Sequence, residues 1–492
     1  MRADSGESRN IFRNLSPLDH RYYLENREPF DRLADFLSEE AVVRSYARVE
    51  IALLRQLVRM VPDAVRPGPG SGEELQQALD ATAAAVDPAE VHAEEQVTRH
   101  NLRAVVHVLQ RRLPESVRHL VHLGATSFDI QDTATALRIG GAVRAVVVPL
   151  LLDLTDCLAD LAETEAATLQ VGRTHGQHAV PITFGFAVAS FVARLDDVLP
   201  RILQAADELP GKLSGAVGAY NATALLVGDP LELERRVLAD LGLTAAAHAT
   251  QIVPAEPLVR LLLEINLAFG VLANLADDLR NLQRTEIAEV AESFDASQVG
   301  SSTMPQKRNP WNSEHVKSLW KAFSPRVGTF FLDQVSEHQR DLTNSASSRF
   351  VGEYLAGFTA AVNRTLRIVG SLHVDRRRMA DAVGTGGDAV AAEAAYVALA
   401  RAGVAEAHQV VRQAAGEARS AGGTVADALE RDRDRWALLE RVAVGADGAS
   451  AAELLRDPGR YCGMAAERAR AVAALHRERA APLRRALGAW AG

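Results

Sequence analysis

The most reactive set of side chains in the sequence lies in the segment GSSTMPQKRNP, residues 300–310. It places two adjacent serines, Ser301 and Ser302, a few residues before Lys307 and Asn309. A serine hydroxyl is a weak base, so a reactive serine needs nearby groups that stabilise its alkoxide and the charge that it creates. Lys307 and Asn309 have the right chemistry for that task. Because the sequence lacks a GxSxG elbow, proton abstraction beside a carboxylate fits this segment better than acyl transfer.

A second polar segment, residues 122–134, opens a region of helical periodicity. It sets hydroxyl and carboxylate groups at the helix entry, namely Thr126, Ser127, Asp129 and Asp132. Residue types alone leave two interpretations open. Ser127 or Asp129 is an ordinary helix N-cap, or these groups face a ligand.

The third polar segment is GRTHGQHAVPITFG, residues 172–185, which we expect to lie between two helices. Its polar side chains are Arg173, Thr174, His175, Gln177 and His178. Two histidines three residues apart are compatible with a metal site, but no Cys or carboxylate at ligand spacing completes a set. The residues alone therefore favour a solvated loop and no metal.

The elements that must position these segments are helices. From Leu258 to Leu282, apolar residues recur at steps of three and four, the spacing of a coiled-coil-like seam. This pattern predicts one helix from Pro257 to about Val290, roughly 50 Å long at about 1.5 Å per residue. Alternating strand patterns are nearly absent, so the sequence predicts an all-α fold. Loop-forming stretches divide it into an N-terminal part, residues 1–121, a central long-helix bundle, residues 122–373, and a C-terminal part, residues 374–492.

Composition excludes several classes of protein. The chain of 492 residues has a net charge of -9 and no dense run of Lys and Arg, which argues against nucleic-acid binding. Two distant cysteines, Cys157 and Cys462, predict reduced thiols and a cytoplasmic location. The N-terminus shows no secretory pattern. The most apolar window, which starts at Ala142, carries charged residues and is expected to be a buried bundle helix and not a membrane span.

Taken together and in this order, the three polar segments resemble those of the fumarase/aspartase superfamily. GSSTMPQKRNP matches the superfamily signature GSSxMPxKxNP at every fixed position. Further stretches resemble the adenylosuccinate lyase branch, including SPLDHRYY at Ser16, TRHN at Thr98, KLSGAVGAYNA at Lys212, TQI at Thr250, LRNLQRTEIAEV at Leu279 and RDLTNSASSR at Arg340. The resemblance implies an all-α subunit that assembles into a homotetramer, with each active site built by three subunits. It implies neither a cofactor nor a metal.

The implied reaction is an anti β-elimination from a succinyl group, which releases fumarate. By the resemblance, Ser301, or its neighbour Ser302, removes the Cβ proton, and Lys307 and Asn309 hold the carboxylate on which charge develops. His175 corresponds to the general acid that protonates the nitrogen leaving group. The resemblance also implies that Thr126, Ser127 and Thr174 bind substrate carboxylates, that Gln251 lines the site and that His100 contacts the substrate.

The resemblance also implies a phosphorylated substrate, because residues match the branch's nucleotide phosphate site, namely Arg21, Tyr22, Arg340, Ser345 and Arg349. Other positions depart from the branch: Asn101 follows His100 where the branch has Asp, Glu256 and Pro257 replace a His-Asp pair, and Asn344 replaces His or Asp. Trp311 stands where a smaller side chain is usual, and an indole fills space that a purine needs. Adenylosuccinate and nitrosuccinate are therefore the two leading candidates for the substrate. Argininosuccinate or another N-substituted aspartate is the third. A non-enzymatic structural homologue is disfavoured, because the Ser, Lys, Asn and His set is complete.

Overall fold

The computed structural model describes residues 10–67, 72–294, 303–304, 306–445 and 448–489. Helices dominate these residues, so the predicted all-α class is confirmed. The α-helices, in chain order, are α1 Arg21–Glu25, α2 Arg27–Leu37, α3 Glu39–Met60, α4 Gly72–Ala84, α5 Pro88–Thr98, α6 Asn101–Arg112, α7 Ser127–Ala142, α8 Val148–Thr164, α9 Phe184–Asp207, α10 Thr223–Leu226, α11 Pro230–Asp240, α12 Glu256–Leu282, α13 Trp311–Phe323, α14 Arg326–Leu332, α15 Val351–Gly370, α16 Arg376–Gly386, α17 Ala392–Arg401, α18 Ala407–Ala421, α19 Val425–Glu430, α20 Arg433–Arg441, α21 Ala451–Arg456 and α22 Ala465–Gly488.

Short strands form two antiparallel pairs in the described part of the chain. One pair is a hairpin of β1 Leu169–Thr174 and β2 Gln177–Thr183, and the other joins β3 Val290–Ala291 to β4 His373–Val374. The hairpin lies where the sequence predicted a plain loop between helices. That prediction was wrong because LQVGRT and QHAVPIT, which flank a two-residue turn, pair with each other before α9 begins.

The longest helix, α12, follows the predicted apolar seam, with Leu262, Ile265, Phe269 and Leu272 buried. It ends at Leu282 and not near Val290, so at 1.5 Å per residue it is about 40 Å long. After it the chain turns, since Ala288 adopts a left-handed φ of 51° and Glu289 donates its backbone N–H to the carbonyl of Leu282 at 2.9 Å. The seam spacing itself stops at Leu282, because the next apolar side chain, Ile287, comes five residues later.

The largest hydrophobic cluster holds the bundle together. It combines buried residues of α8, α9, α12, α13 and α15 with Ala469, Ala473 and Ala480 of the final helix α22. By length and composition α12 is also apolar enough to cross a membrane, and just over half of its most apolar window is buried within the protein. Its packing is that of a core helix.

The apolar window beginning at Ala142 is buried as predicted. α7 passes through a π-helical turn, Val143–Val147, into α8, whose Leu151, Leu154 and Leu158 have no exposed surface. Charged residues of the same window pair with α22: Arg484 donates to Asp153 at 2.9 Å, and Arg477 donates to Asp160 at 3.0 Å. Asp153 and Asp160 lie on the exposed face of α8, which explains how acidic residues fit into so apolar a stretch.

Two smaller clusters lie towards the chain ends. One combines α3 and α6 with Ile130 of α7 and Leu233 of α11, and the other is built from α17 to α21. The predicted three-part division of the chain stays a prediction. Contacts such as those of α22 with the central bundle cross its boundaries.

Candidate active site

The two candidate base residues, Ser301 and Ser302, lie outside the described residues. Of the same signature, Lys307 is exposed and Asn309 is half-buried. Lys307 donates its backbone N–H to the carbonyl of Met304 at 3.0 Å, which makes a turn before Pro310. The ammonium of Lys307 therefore has open access to solvent and to a ligand.

Helix α13 begins directly after the signature and is capped from a distant part of the chain. The carboxylate of Glu292 accepts hydrogen bonds from the backbone N–H groups of Asn312 at 3.1 Å and Ser313 at 2.7 Å. It also accepts from the Asn312 amide at 2.9 Å and from the Ser313 hydroxyl at 2.6 Å. Glu292 precedes the signature, so its carboxylate ties together the chain on either side of it.

His175 lies at the tip of the β1–β2 hairpin. It forms a two-residue turn with Gly176, and both have positive φ, 53° and 71°, as a type I′ turn requires. Thr174 pairs with Gln177 at the end of the ladder. Thr174 and His175 are exposed. The tight turn and the two short strands therefore present them to solvent in a fixed position.

The base of the hairpin is anchored by a buried carboxylate. Arg173 forms an ion pair with Glu289, which has no exposed side chain, and donates to its Oε2 at 3.1 Å. Gln170 donates to the same oxygen at 2.9 Å. Gly172 stands at an irregularity in the strand register, where an added Cβ would lie 2.6 Å from the carbonyl of Val180.

The N-cap of α7 is Thr126. The prediction that Ser127 or Asp129 is the N-cap was therefore wrong. Ser127 is the first helical residue, and Thr126 donates its backbone N–H to Asp129 at 2.8 Å. Asp129 is fully buried, pairs with the equally buried ammonium of Lys212, and accepts from the Gly215 N–H at 3.1 Å. The carboxylate of Asp129 thus fixes the N-terminus of α7 and leaves the Thr126 and Ser127 side chains half-buried at the surface.

Gln251 and Arg340 meet beside this helix N-terminus. Arg340 donates to the Gln251 Oε1 at 3.2 Å, and its guanidinium carbon lies 3.4 Å from the ring centroid of Phe128. Asp132 accepts from the Val253 N–H at 2.9 Å, and burial raises its pKa to about 7, while Lys212 and Arg340 oppose that rise. Arg340 is therefore stacked and held in place, which suits recognition of an anion.

Tyr22 belongs to a different cluster. Its hydroxyl lies 3.0 Å from Nε2 of His315 on α13, and burial raises its pKa. Arg364 donates to Asn312 Oδ1 at 2.7 Å, pairs with Glu25, and lies over the indole of Trp311. Burial of His315 lowers its pKa, so its imidazole is neutral at neutral pH.

The other proposed phosphate-binding residues are exposed. Arg21 begins α1, and Ser345 and Arg349 lie before α15. His100 is the N-cap of α6 and accepts from the Arg103 N–H at 3.3 Å, so it has a structural role in addition to the expected ligand contact.

Within one chain the structure brings some of these residues together and keeps others apart. Thr126, Ser127, Gln251 and Arg340 share one surface around α7. Among the described residues, no hydrogen bond or ion pair joins this surface to Thr174 or His175. The described ranges also contain no group of three or more His, Cys, Asp or Glu side chains suited to a metal.

Sequence reasoning missed several residues that hold the site in shape, chiefly Glu292, Glu289, Lys212 and Arg364. Their signal was present only in part, because Glu289 lies in the quoted stretch LRNLQRTEIAEV and Lys212 begins KLSGAVGAYNA, whereas Glu292 comes two residues after the first stretch. A cavity of about 260 Å³ lies elsewhere, lined by Arg280, Glu314, Lys317, Ser318 and Lys321. It contains none of the predicted site residues.

Comparison with known protein families places these observations in context. A family model described as lyase matches residues 45–321, and one described as adenylosuccinate lyase C-terminal matches residues 336–432. An adenylosuccinate lyase of Archaeoglobus fulgidus is 32% identical over 463 residues, which is 93% of this chain and 98% of that protein. One of Pyrococcus abyssi is 42% identical over 254 residues, 51% of this chain, so that match spans only 55% of the relative's length.

Solved structures with the same fold include two enzymes. A fumarate lyase from Mesorhizobium sp. BNC1 has a TM-score of 0.76 at 23% identity and covers 90% of this chain and 97% of its own. A 3-carboxy-cis,cis-muconate lactonizing enzyme from Pseudomonas putida has a TM-score of 0.74 at 23% identity and covers 91% and 97%. These two similarities concern the fold, whereas the family models and the long match to the Archaeoglobus protein concern descent. The chain belongs to the fumarase/aspartase superfamily of lyases, in its adenylosuccinate lyase-like branch.

Proposed function

We propose that the protein is a carbon–nitrogen lyase that eliminates fumarate from an N-substituted succinate. The observation that carries this proposal is the agreement between the signature around Lys307 and Asn309 and a relative named adenylosuccinate lyase that matches along 93% of the chain. The exposed Lys307, the stacked Arg340 and the hairpin-borne His175 supply the cation, the anion-binding group and the acid that such a reaction needs.

In the proposed mechanism, Ser301 takes the proton from the substrate Cβ, with Ser302 as the alternative base. Lys307 and Asn309 stabilise the dianionic intermediate, and Thr126, Ser127 and Thr174 hold the carboxylates. His175 then donates a proton to the departing nitrogen, and the Cα–N bond breaks to give fumarate. Each preorganised donor to the developing charge contributes on the order of 3 to 4 kcal/mol.

We further propose adenylosuccinate, or a closely related phosphorylated succinyl adduct, as the substrate. The match to the adenylosuccinate lyase C-terminal model and the relatives' names support this choice. Arg21, Tyr22, Arg340, Ser345 and Arg349 supply the cations and hydroxyls for its phosphate. The contact of Tyr22 with His315 and the position of Trp311, 42% exposed beside Arg364, limit the room for the purine.

The active unit is proposed to be a homotetramer in the cytoplasm, with each site shared by three subunits. It is supported by the lack, among the described residues, of any hydrogen bond or ion pair that joins Thr174 or His175 to the surface around Arg340 within one chain. The apolar side chains that α12 and α14 expose also support it, namely Leu263, Leu267, Phe331 and Leu332.

The decisive experiment measures fumarate release by ultraviolet absorbance with adenylosuccinate, nitrosuccinate, argininosuccinate and aspartate offered separately. We expect adenylosuccinate to give the highest kcat/KM. Turnover of nitrosuccinate alone would refute the proposed substrate but keep the elimination. Absence of fumarate with every compound would refute the reaction, and full activity of both Ser301→Ala and Ser302→Ala would refute the proposed base.

A further inference from the structure

One carboxylate from the chain before the signature holds the start of the helix that follows the signature. Glu292 is 8% exposed and accepts four hydrogen bonds, all from Asn312 and Ser313. Its own backbone N–H donates to the side chain of Gln283 at 2.9 Å, and Gln283 is the C-cap of α12, so this hydrogen bond attaches Glu292 to the end of α12. The chain therefore leaves α12, passes Glu292, forms the signature, and returns to the same carboxylate.

This contact is a helix cap of an unusual kind. The first backbone N–H groups of a helix have no partner within it, and a negative charge at that end is favourable. An N-cap side chain usually comes from the residue just before the helix. In α13 that residue is Pro310, which makes no side-chain cap, and the cap comes from a residue twenty positions earlier than Asn312. The cap therefore fixes tertiary position as well as the helix end.

Arg364 fixes the orientation of the Asn312 side-chain amide, which donates a hydrogen bond to Glu292. Arg364 is 5% exposed, and its guanidinium donates to Asn312 Oδ1 at 2.7 Å and pairs with Glu25. With the amide oxygen held by Arg364, the amide nitrogen must point to Glu292. We call Glu292, Asn312, Ser313 and Arg364 the neck network.

The neck network lies very close to the groups proposed to bind the substrate. Asn309 is three residues from Asn312, and Pro310 between them has a restricted φ, so little freedom remains to absorb a shift of α13. Lys307 is held to Met304 by its own turn. A displacement of the helix start by 1 Å would therefore reach Asn309 and Lys307, and misplacement on that scale costs about 100-fold in rate.

We propose that Glu292 is a positioning residue for Lys307 and Asn309, with Arg364 setting the direction of the link. The mechanical part of this inference stands on the contacts alone, whereas its effect on turnover rests on the proposed function. Glu292→Gln is the sharpest test, because glutamine has the same shape but replaces one oxygen that accepts hydrogen bonds by an NH2 group, which would face other donors.

Three readouts should change together in Glu292→Gln. We expect kcat to fall by about 10- to 100-fold, and fumarate binding, measured by calorimetry, to weaken by at least about fivefold. We also expect trypsin to cleave after Lys307 and Arg308 several times faster, relative to cleavage after the fully accessible Arg377. Asn312→Ala, which leaves the Ser313 contacts intact, should show smaller changes in the same direction.

Glu467→Gln, on the exposed face of α22, is the control for loss of one glutamate charge and should behave as wild type. A purely structural role would lower the melting temperature of Glu292→Gln without changing kcat or fumarate affinity below that temperature. That outcome, or unchanged cleavage in both neck variants, overturns the proposal. If Glu292→Gln does not fold, Asn312→Ala decides. A wild type that releases no fumarate while Glu292→Gln is cleaved faster would refute the proposed function and keep the positional link.

Discussion

The guanidinium of Arg173 pairs with the buried carboxylate of Glu289, and this pair joins the hairpin that carries His175 to the strand that leads towards the signature. One nitrogen donates to Glu289 Oε2 at 3.1 Å and a second donates to Oε1. A planar guanidinium makes both contacts in a parallel, bidentate geometry, which a lysine ammonium with its single nitrogen does not reproduce. The ion pair thus couples the proposed acid to the same stretch of chain that supplies the proposed base.

Replacing Arg173 by Lys should distinguish the effect of the positive charge opposite Glu289 from the effect of the two parallel hydrogen bonds. We expect Arg173→Lys to keep the charge opposite Glu289 but to lose one hydrogen bond, which destabilises the fold by about 1 to 3 kcal/mol and lowers kcat. Arg377→Lys, at an exposed side chain of α16, is the control. Differential scanning calorimetry and fumarate release check both parts, and unchanged values in Arg173→Lys would contradict this anchoring role.

Lys307→Ala should damage catalysis without damaging the fold. The side chain is exposed, so we expect the melting temperature to change little, whereas kcat should fall about 100- to 1,000-fold through loss of one donor to the intermediate. Arg308→Ala removes a neighbouring cation to which no step is assigned. Similar losses in both variants would mean that general charge, and not the placement of Lys307, is responsible.

His476 should make stability depend on pH. It is fully buried, and its two ring nitrogens lie 2.6 Å from Asp196 and 2.7 Å from Asp156. Burial lowers the pKa of His476, but the hydrogen bonds and charges of Asp196 and Asp156 outweigh it and raise the pKa above its usual 6.5. The stabilisation is complete below about pH 6.5 and is lost as pH rises through the raised value.

The measurement compares wild type with His476→Gln by melting temperature between pH 5.5 and 9. We expect the largest difference at the acidic end and a smaller one at high pH, since a neutral imidazole can donate to only one of the two carboxylates. His122, whose pKa is raised through Glu50 although burial opposes it, is present in both proteins and cancels. A difference independent of pH would contradict a charged His476.

Leu267→Glu should break the proposed assembly. Leu267 is 56% exposed on α12, so a glutamate there costs the monomer little but places a charge within the proposed contact between subunits. We expect a lower mass in solution together with loss of fumarate release. Leu475→Glu, at a side chain of similar exposure on α22, is the matched control. A monomer of Leu267→Glu with full activity would refute the shared site.

Arg21→Ala should distinguish phosphorylated from unphosphorylated substrates. Arg21 is exposed at the start of α1, so its loss should not affect folding. We expect kcat/KM for adenylosuccinate to fall at least tenfold, about 1.4 kcal/mol, while turnover of an unphosphorylated succinyl compound changes little. Equal effects on both would argue against a phosphate contact.

The sequence was informative where side-chain spacing alone decides the structure. The buried seam from Leu262 to Leu279 follows directly from steps of three and four. The predicted helix end near Val290 was wrong, because the steps of three and four stop at Leu282 and the backbone of Ala288 turns left-handed. The hairpin was missed because its turn depends on two positive φ values at His175 and Gly176, and His-Gly is a weaker turn signal than Asn-Gly.

The supporting residues of the site were hidden for a different reason. Glu292 meets Asn312, and Arg364 meets Glu25, only after the chain has folded, because these partners are far apart in sequence. In the sequence, Glu292 looks the same whether its side chain is solvated or accepts four hydrogen bonds. Contacts of this kind depend on tertiary structure, which spacing along one chain does not encode.

The turn at His175 and Gly176 also constrains how this region can evolve. A two-residue turn cannot absorb an extra or a missing residue, and successive residues of a strand face opposite sides of the hairpin. Inserting or deleting one residue would therefore turn Thr174 to the opposite side relative to Gln177. Substitutions can accumulate around the hairpin, but changes in its length cannot. Natural and engineered variants of this chain should therefore differ here in residue type and keep the same number of residues.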